Sequence, residues 1–443
     1  MVTVFNLFLT AAVCCIGAAA LDTTYFYQER THLQLTADAT AHAALFRRNQ
    51  GSNTATAART AAMQIAAFDM PSSAFGEVIQ QADIQFGTWD TTTGTFQDNA
   101  ASKSAVLVTA SRATDHNNPA STFLFRMVGI DSMDVRASAI YATYQPACLR
   151  DGITAQGLVD IQSGSQFLKG FCIHSNSNVK VGNNNTFQSG TIVSMPDATN
   201  IQMGGSGLAQ NPGLQDALRS DEFDIRILDR IRTTATDPLD VALKTPSDDD
   251  RPAYITAGSG VRSLTSGANV TYNSTSSFTE GLVHTRDCTS SGNTLTLTGP
   301  SGGITYKNFV LITNCLVSIA GNVTLDNVVI YTTNTSDTSV SVSTAGGGGG
   351  SSQGLWVGRN DACSPGSGAQ IITRGGFKNS AALYLYGAQI VALGPVAFSS
   401  NATGEGAAIT SGSTVSGTSN LKFSGCDTGM EQNFTAAYFQ LVQ

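Results

Sequence analysis

Beyond Cys148 the sequence is cut into short apolar runs by glycine, asparagine and serine, and this punctuation constrains the fold more than any other feature. GLVDIQSGS, GFCIHSNSNVKVGNNNTF and GTIVSMP set the pattern. It returns after about residue 290 in TLTLTG, ITYKNFVLITNCLVSIAGNVTLDNVVIY, SVSVSTAG, QGLWVG, AQIITRGG, AALYLYGAQIVALG, VAFSSNAT, AAITSGSTVSG and LKFSGC. Runs of this length read as strands, turned at corners by residues that tolerate φ > 0. About three strands per twenty-odd residues predicts a right-handed parallel β-helix, each coil burying a few β-branched side chains against its neighbours. A β-sandwich with irregular loops is the alternative, and alternation does not separate the two. Composition agrees with strands over helical bundles: charged residues are only 13 %, with 44 glycines in 443 residues.

One stretch breaks the texture. Asn211–Thr233 (NPGLQDALRSDEFDIRILDRIRT) carries a ragged helical stripe of Leu214, Leu218, Ile225, Ile227, Leu228 and Ile231, and Lys244–Arg251 (KTPSDDDR) reads as a polar loop. Together, over about 208–255, they predict an insertion that packs a helix on the flank of the coils. The run Gly346–Gly350 reads as a flexible loop, because no lysine or helix start follows it to make a phosphate cradle.

At the other end, Val2–Leu21 carries no charge. Twenty helical residues span about 30 Å, the thickness of a bilayer's hydrocarbon core. The polar sequence that follows, DTTYFYQERTHLQLTADATAHAALF, contains neither Gly nor Pro and keeps an apolar stripe of Leu33, Ala37, Ala41 and Leu45. A single long helix is expected, a transmembrane anchor over 1–21 and amphipathic behind it. The small residues Gly17, Ala18, Ala19 and Ala20 also suit a cleavable signal peptide. The length of the run, the missing basic n-region and the unbroken helical pattern favour retention. Cys14 and Cys15 read as small hydrophobes within it.

Arg47 and Arg48 place cations at the end of this helix, and TAARTAAMQIAAF forms a second one stopped by Pro71. Asp83–Trp89 and Thr95–Gln97 flank a TTTG turn as a hairpin, and SAVLVTAS follows as a strand. PASTFLFRMVG reads as a short helix ending at Gly129, and Met133–Tyr144 alternates with Val135, Ala137 and Ala139 on one face. Residues 22–146 are thus expected to form a small α+β domain, and 147–443 a separate strand-rich one.

Asp22 to Ala44 resembles the N-terminal region of bacterial Tad/Flp pilus-assembly proteins of the TadE/TadG type. Those proteins carry an apolar span, an Asp at its outer edge, a Tyr/Arg-rich turn, then Leu-Gln and an Ala- and Asp-rich stretch. Here these are Asp22, Tyr25, Tyr27, Arg30, Leu33, Gln34, Ala37, Asp38, Ala39, Ala43 and Ala44. The resemblance continues through IQFGTWDTTTGTF, SAVLVTASR, FLFRMVGID and VRASAIYA, about the first third of the chain. It implies a single-pass protein of the bacterial inner membrane, its bulk periplasmic or exported, serving as a structural component of a pilus-assembly or secretion apparatus. The implied partners are the membrane and other pilus-assembly or pilin-like proteins. The small-residue face Ala37, Ala41 and Ala44 would allow close helix–helix approach. Two departures stand out. The chain begins inside the apolar span without the family's leading basic or glycine residues, so the positive-inside rule has nothing to act on. The von Willebrand A-like domain with a DxSxS metal motif that some TadG-type proteins carry is not read here, so no metal-dependent adhesion site is expected.

The net charge of −8 argues against nucleic acid as a partner. Cys148, Cys172, Cys288, Cys315, Cys363 and Cys426 are scattered singly without metal-ligand spacing, which suggests disulfides in an oxidising compartment. Cys148–Cys172 and Cys288–Cys315 are each separated by about one coil, so we expect them to pair, leaving Cys363 with Cys426. Free buried thiols and the other of about fifteen connectivities stay open. The acids gather in the insertion (Asp221, Glu222, Asp224, Asp248, Asp249, Asp250) and read as solvated. His32, His42, His116, His174 and His284 lack ligand spacing, and His32 and His42 read as exposed. Ser and Thr are so abundant that any Ser/His/Asp set would be accidental, and sequons such as those at Asn269, Asn273 and Asn322 are likewise expected by chance in this composition. No catalytic, cofactor or metal set emerges, and a non-enzymatic role is expected. The competing readings are a carbohydrate-active β-helix with paired acids on adjacent coils, and an adhesin that binds surface glycans without cleaving them.

Overall fold

The computed structural model describes residues 2–443 except 51–53, 206, 233–236, 247, 249, 259, 345–353, 367 and 427. The expected glycine loop 346–350 and Asp249 lie outside the described residues, as do the side chains of Cys14 and Cys15. The chain divides into two compact units, Met1–Tyr144 with Ala437–Gln443, and Gln145–Ala436.

The first unit is built on α1 (Val2–Arg48), one unbroken helix. Among its described side chains Val4, Phe5, Leu9, Val13, Ile16 and Leu21 are exposed. Among the described residues no helix is long and apolar enough to cross a membrane. At Asp22 the character of α1 changes. Leu33, Ala37, Ala41, Ala44 and Leu45 are fully buried and share one cluster with Ala58, Ala62 and Ala66 of α2 (Ala55–Asp69). Alanine on both helices removes the bulk that would hold their axes apart. Thr54 starts α2 by accepting the N–H of Ala57.

The same cluster packs on an antiparallel sheet of β1 (Ile84–Asp90), β2 (Thr95–Asp98), β3 (Ala105–Arg112) and the strands Val135–Tyr144 and Tyr438–Leu441, in the order β2, β1, β3, 135–144, 438–441. Two boundaries differ from expectation. The stretch 119–129 is helical only in its second half, as a short 3₁₀ helix, Phe125–Val128, ended by Gly129 at φ 87°, and its first half holds a two-residue strand, Ala120–Ser121. Residues 437–443, expected in the strand-rich domain, belong to the first unit, because Tyr438 pairs with Tyr144 and Leu441 with Tyr141. The second unit is therefore inserted between two hydrogen-bonded neighbours.

The second unit is strand-rich, and its two large sheets are parallel throughout. One sheet runs Val261–Ser263, Val283–Arg286, Ile304–Thr313, Val323–Thr332, Ala369–Thr373, Ala382–Ala392, Ala402–Ser411, and then Gly152–Ala155, Cys172–Ser175, Ile192–Met195, Leu218–Ser220. The other sheet follows the same order, from Val270–Tyr272 through Val415–Ser416 to Val159–Ile161 and Gln202–Met203. Rung order and chain order thus differ. The chain starts in mid-stack, runs to one end, crosses to the other end and returns to its own starting rung, where Ile409 pairs with Ile153 and Val415 with Val159. At one inward position this yields a ladder of Leu311, Ile330, Ile371, Ile390, Ile409, Ile153, Ile173 and Val193, all at 0 % exposure.

The long strands 304–313, 323–332, 382–392 and 402–411 each bend at one residue in the left-handed region, Asn308, Asn327, Gly387 and Gly406 (φ 53–63°). Only glycine or asparagine takes that conformation cheaply. Asn327 Nδ2 also donates to Asn308 Oδ1 at 3.1 Å, linking successive corners. Each bend leaves a leading half on one face and a trailing half on another.

The outer side of the trailing halves is covered by the crossing segment. Ile225, Ile227, Leu228, Ile231, Leu239, Leu243 and Ile255 bury Ile312, Val329, Tyr331, Ile372 and Val391. This corrects the expected flanking helix: the stripe residues are mostly buried, but on a strap of short pieces (226–228, 229–232, 238–244), while Leu218 opens a strand. Three disulfides, Cys148–Cys172, Cys288–Cys315 and Cys363–Cys426, brace this unit.

Candidate functional site

A cluster of buried charges forms where the uncharged part of α1 ends. The Asp22 carboxylate accepts the backbone N–H groups of Phe123 (2.8 Å), Leu124 (3.0 Å) and Phe125 (2.7 Å). Burial alone would raise its pKa, but these three amides, with Arg126 nearby, hold it below the ordinary carboxylate range. Along the helix, Arg112 Nη1 donates to the Tyr25 hydroxyl at 3.1 Å and pairs with Glu29 at 2.8 Å. Burial would make that guanidinium easier to deprotonate, but Glu29 and Tyr25 outweigh it and raise its pKa. The Tyr25 ring meets Phe123 edge-on at 4.9 Å. The cluster so fixes a loop that exposes Phe123, Met127, Ile130 and Met133.

Of the residues singled out from sequence, Asp22 and Tyr25 join this cluster, while Arg30 points to solvent. Gln34 Nε2 donates to Asp38 Oδ1 (2.9 Å) and to the carbonyl of Ser138 (3.1 Å), tying α1 to the sheet. Ala37, Ala41 and Ala44 are covered within their own unit. Sequence reading passed over Glu29 and Arg112. They stand 83 positions apart, and no local pattern announces such a pair.

In the second unit the polar cluster nearest to a catalytic arrangement is interior. His174 Nδ1 lies 2.8 Å from Ser194 Oγ and Nε2 lies 2.7 Å from Asn176 Oδ1, with Phe223 of the strap stacked on the ring at 4.1 Å. His174 is 0 % and Ser194 1 % exposed, so no substrate reaches them. The insertion acids do not converge: Asp221, Glu222 and Asp224 face solvent and Asp250 pairs with Arg230. No group of three metal-ligating side chains comes together among the described residues.

His174 and His284 are both fully buried, and burial lowers the pKa of each below 6.5. The hydrogen bond with Asn176, and then Asp221 and Glu222, oppose the shift at His174, and the Thr279 carbonyl opposes it at His284, where Arg262 adds to it. The unfolded chain takes up these protons near pH 6.5 and the folded chain resists, so stability falls as pH drops through that value and towards the folded pKa. Thermal unfolding should show a lower midpoint at pH 5.5 than at pH 7.5, and His174→Gln with His284→Gln should flatten the difference. An unchanged slope in the double variant would assign the effect elsewhere.

A family model described as a domain of unknown function (DUF7867) matches residues 152–427, more than half of the chain. The chain belongs to that family. The DUF7867 match starts at the first strand of the second unit and ends just before the chain returns to the first. Ahead of it, a model for Tad-like Flp pilus assembly matches residues 38–140 and a TadE/G-like Flp pilus-assembly model matches residues 1–64. This DUF7867 protein therefore carries the N-terminal region of a Tad/Flp pilus-assembly protein and is a pilus-related component. No curated protein and no solved structure matches it.

Proposed function

We propose that this protein is a membrane-anchored, extracytoplasmic structural component of a Tad/Flp-type pilus assembly, and that it catalyses no reaction. The observation that carries the reading is the change in α1 at Asp22. Ahead of it lie twenty uncharged residues whose described large apolar side chains are exposed. Behind it the same helix is the core of the region matched by the Tad models. The loop that Asp22 holds adds Phe123, Met127, Ile130 and Met133, an apolar fringe suited to the boundary of a bilayer. The residues that follow would then lie in the periplasm or outside the cell, an oxidising setting that suits three disulfides.

On this reading the second unit is a parallel β-helix presented as a stiff module. Its support is the shared rung order of two all-parallel sheets and the stacked inward ladder. Partners among other pilus-assembly proteins follow from the family matches.

A C-terminal reporter active only outside the cytoplasm, combined with fractionation, tests the reading. The fusion should be active, sediment with the inner membrane and resist carbonate extraction, at a mass that includes residues 1–21. An active fusion found free in the periplasm without those residues would refute anchorage; an inactive one would refute the location.

A further inference from the structure

On the leading face of the second unit the register places Thr305, Thr324, Trp356, Tyr384 and Thr403 in one outward row, each pairing with the next. Two of them are flat rings. Trp356 and Tyr384 stack with centroids 4.8 Å apart and planes 12° apart, the spacing of neighbouring strands. The ring stack stops at Trp356. On the next two strands the row holds only threonines, with Gly302 and Gly303 beside them, so an open notch of about 370 Å³ lies against the indole. The rest of its lining includes Asn322, Asn360 and Arg359. Arg359 reaches Asp326 at 3.0 Å, and Lys307 lies 3.9 Å from the same carboxylate. Two cations share one anion here, a local positive excess on a chain whose balance is −8.

We propose that this notch binds one acidic pyranose of a polysaccharide, the ring lying against Trp356 and its carboxylate meeting Arg359. A pyranose offers C–H groups on its faces and hydroxyls at its rim. The negative face of an indole attracts the first, and amide and hydroxyl side chains pair with the second. A guanidinium presents a planar fork that matches a carboxylate. The volume lies within the range of about 300–1,000 Å³ usual for small-ligand sites. A nucleic-acid strand would need cations repeated along the row, and the row carries threonines. The acids near the notch do not form a catalytic pair, because Asp326 is held by Arg359 and Lys307. Binding without cleavage is the expected outcome. The inference goes beyond the pilus-assembly reading and stands if that reading fails.

Calorimetric titration of the full chain with hexagalacturonate, and with cellohexaose as its neutral counterpart, tests this. Hexagalacturonate should bind saturably and remain uncleaved. Trp356→Ala and Arg359→Met should each weaken it at least tenfold, and Thr324→Trp, which continues the ring stack into the notch, should abolish it. Each variant counts only if its thermal midpoint matches the parent's. A glycan array of neutral and acidic oligosaccharides extends the search: a failure of every glycan to prefer the parent over Thr324→Trp overturns the site. Equal binding of both hexamers, insensitive to Arg359→Met, overturns the acidic assignment.

Discussion

Phe167→Ala should destabilise the second unit by about 3–5 kcal/mol, the usual loss when a buried phenylalanine leaves a cavity. Phe167 is 0 % exposed and pairs with Phe187 on one side and Phe423 on the other. Its ring stacks on Phe187 at 5.3 Å and Phe171 at 5.9 Å, and Phe171 stacks on Phe423 at 5.1 Å. These rings lie where the returning chain meets its own first rung, so the cavity would open at the seam. Urea unfolding followed by near-ultraviolet circular dichroism measures the cost. Phe398→Ala, a buried phenylalanine away from this seam, serves as the comparison. Equal proteolysis at the seam in both variants would show that the four rings do not close it.

Asp237→Ala should release the strap, at a cost of about 3–5 kcal/mol, because it takes the paired carboxylate from the largely buried Arg374 guanidinium. Asp237 accepts the Tyr331 hydroxyl and Arg374 Nη2 (2.7 Å), and it caps the helix 238–244 through the N–H groups of Leu239 and Asp240 (3.1 Å each). The side chains of Arg374 and Asp237 are 12 % and 14 % exposed. Burial, and then the bond to Asp237, push the Tyr331 phenol far above its usual pKa, so the hydroxyl stays a donor at any physiological pH. Tyr331→Phe removes two hydrogen bonds, the one donated to Asp237 and the one accepted from Arg374 Nε at 3.2 Å, but leaves the ion pair and the cap, and should cost only about 1–3 kcal/mol. Hydrogen exchange over residues 225–255 separates the two: protection should collapse in Asp237→Ala and persist in Tyr331→Phe. Equal protection in both would mean that the apolar contacts alone hold the strap.

Much of this was legible because it is local. The hairpin around 91–94, the two helices and the strand texture follow from turn residues and periodicity, and one-coil spacing suggested Cys148–Cys172 and Cys288–Cys315, with Cys363–Cys426 left as the remainder. The rung order was not legible, for a physical reason. Every rung shows its neighbours the same kind of inward residue, so Ile409 meets Ile153 across 256 positions as readily as Ile390 meets Ile409 across 19. Ile227, Leu228 and Ile231 announced burial, but their spacing could not say that they would lie on a sheet as a broken strap and not as one helix. The Trp356 notch depends on register across loops of unequal length: 32 residues separate Thr324 from Trp356 and 28 separate Trp356 from Tyr384, where 19 separate Thr305 from Thr324.

The insertion of one unit between paired strands of the other has a bearing on synthesis. A chain that emerges from its N-terminus leaves Val135–Tyr144 with a bare hydrogen-bonding edge until Tyr438–Leu441 arrives, and leaves Gly152–Ala155 similarly open until Ala402–Ser411 arrives. Unpaired edges invite mispairing and cleavage. A product stalled anywhere between advertises its own incompleteness to proteases, and only a finished polypeptide hides both marks at once. Fragments truncated before residue 402 should therefore be cleared far faster than the whole chain.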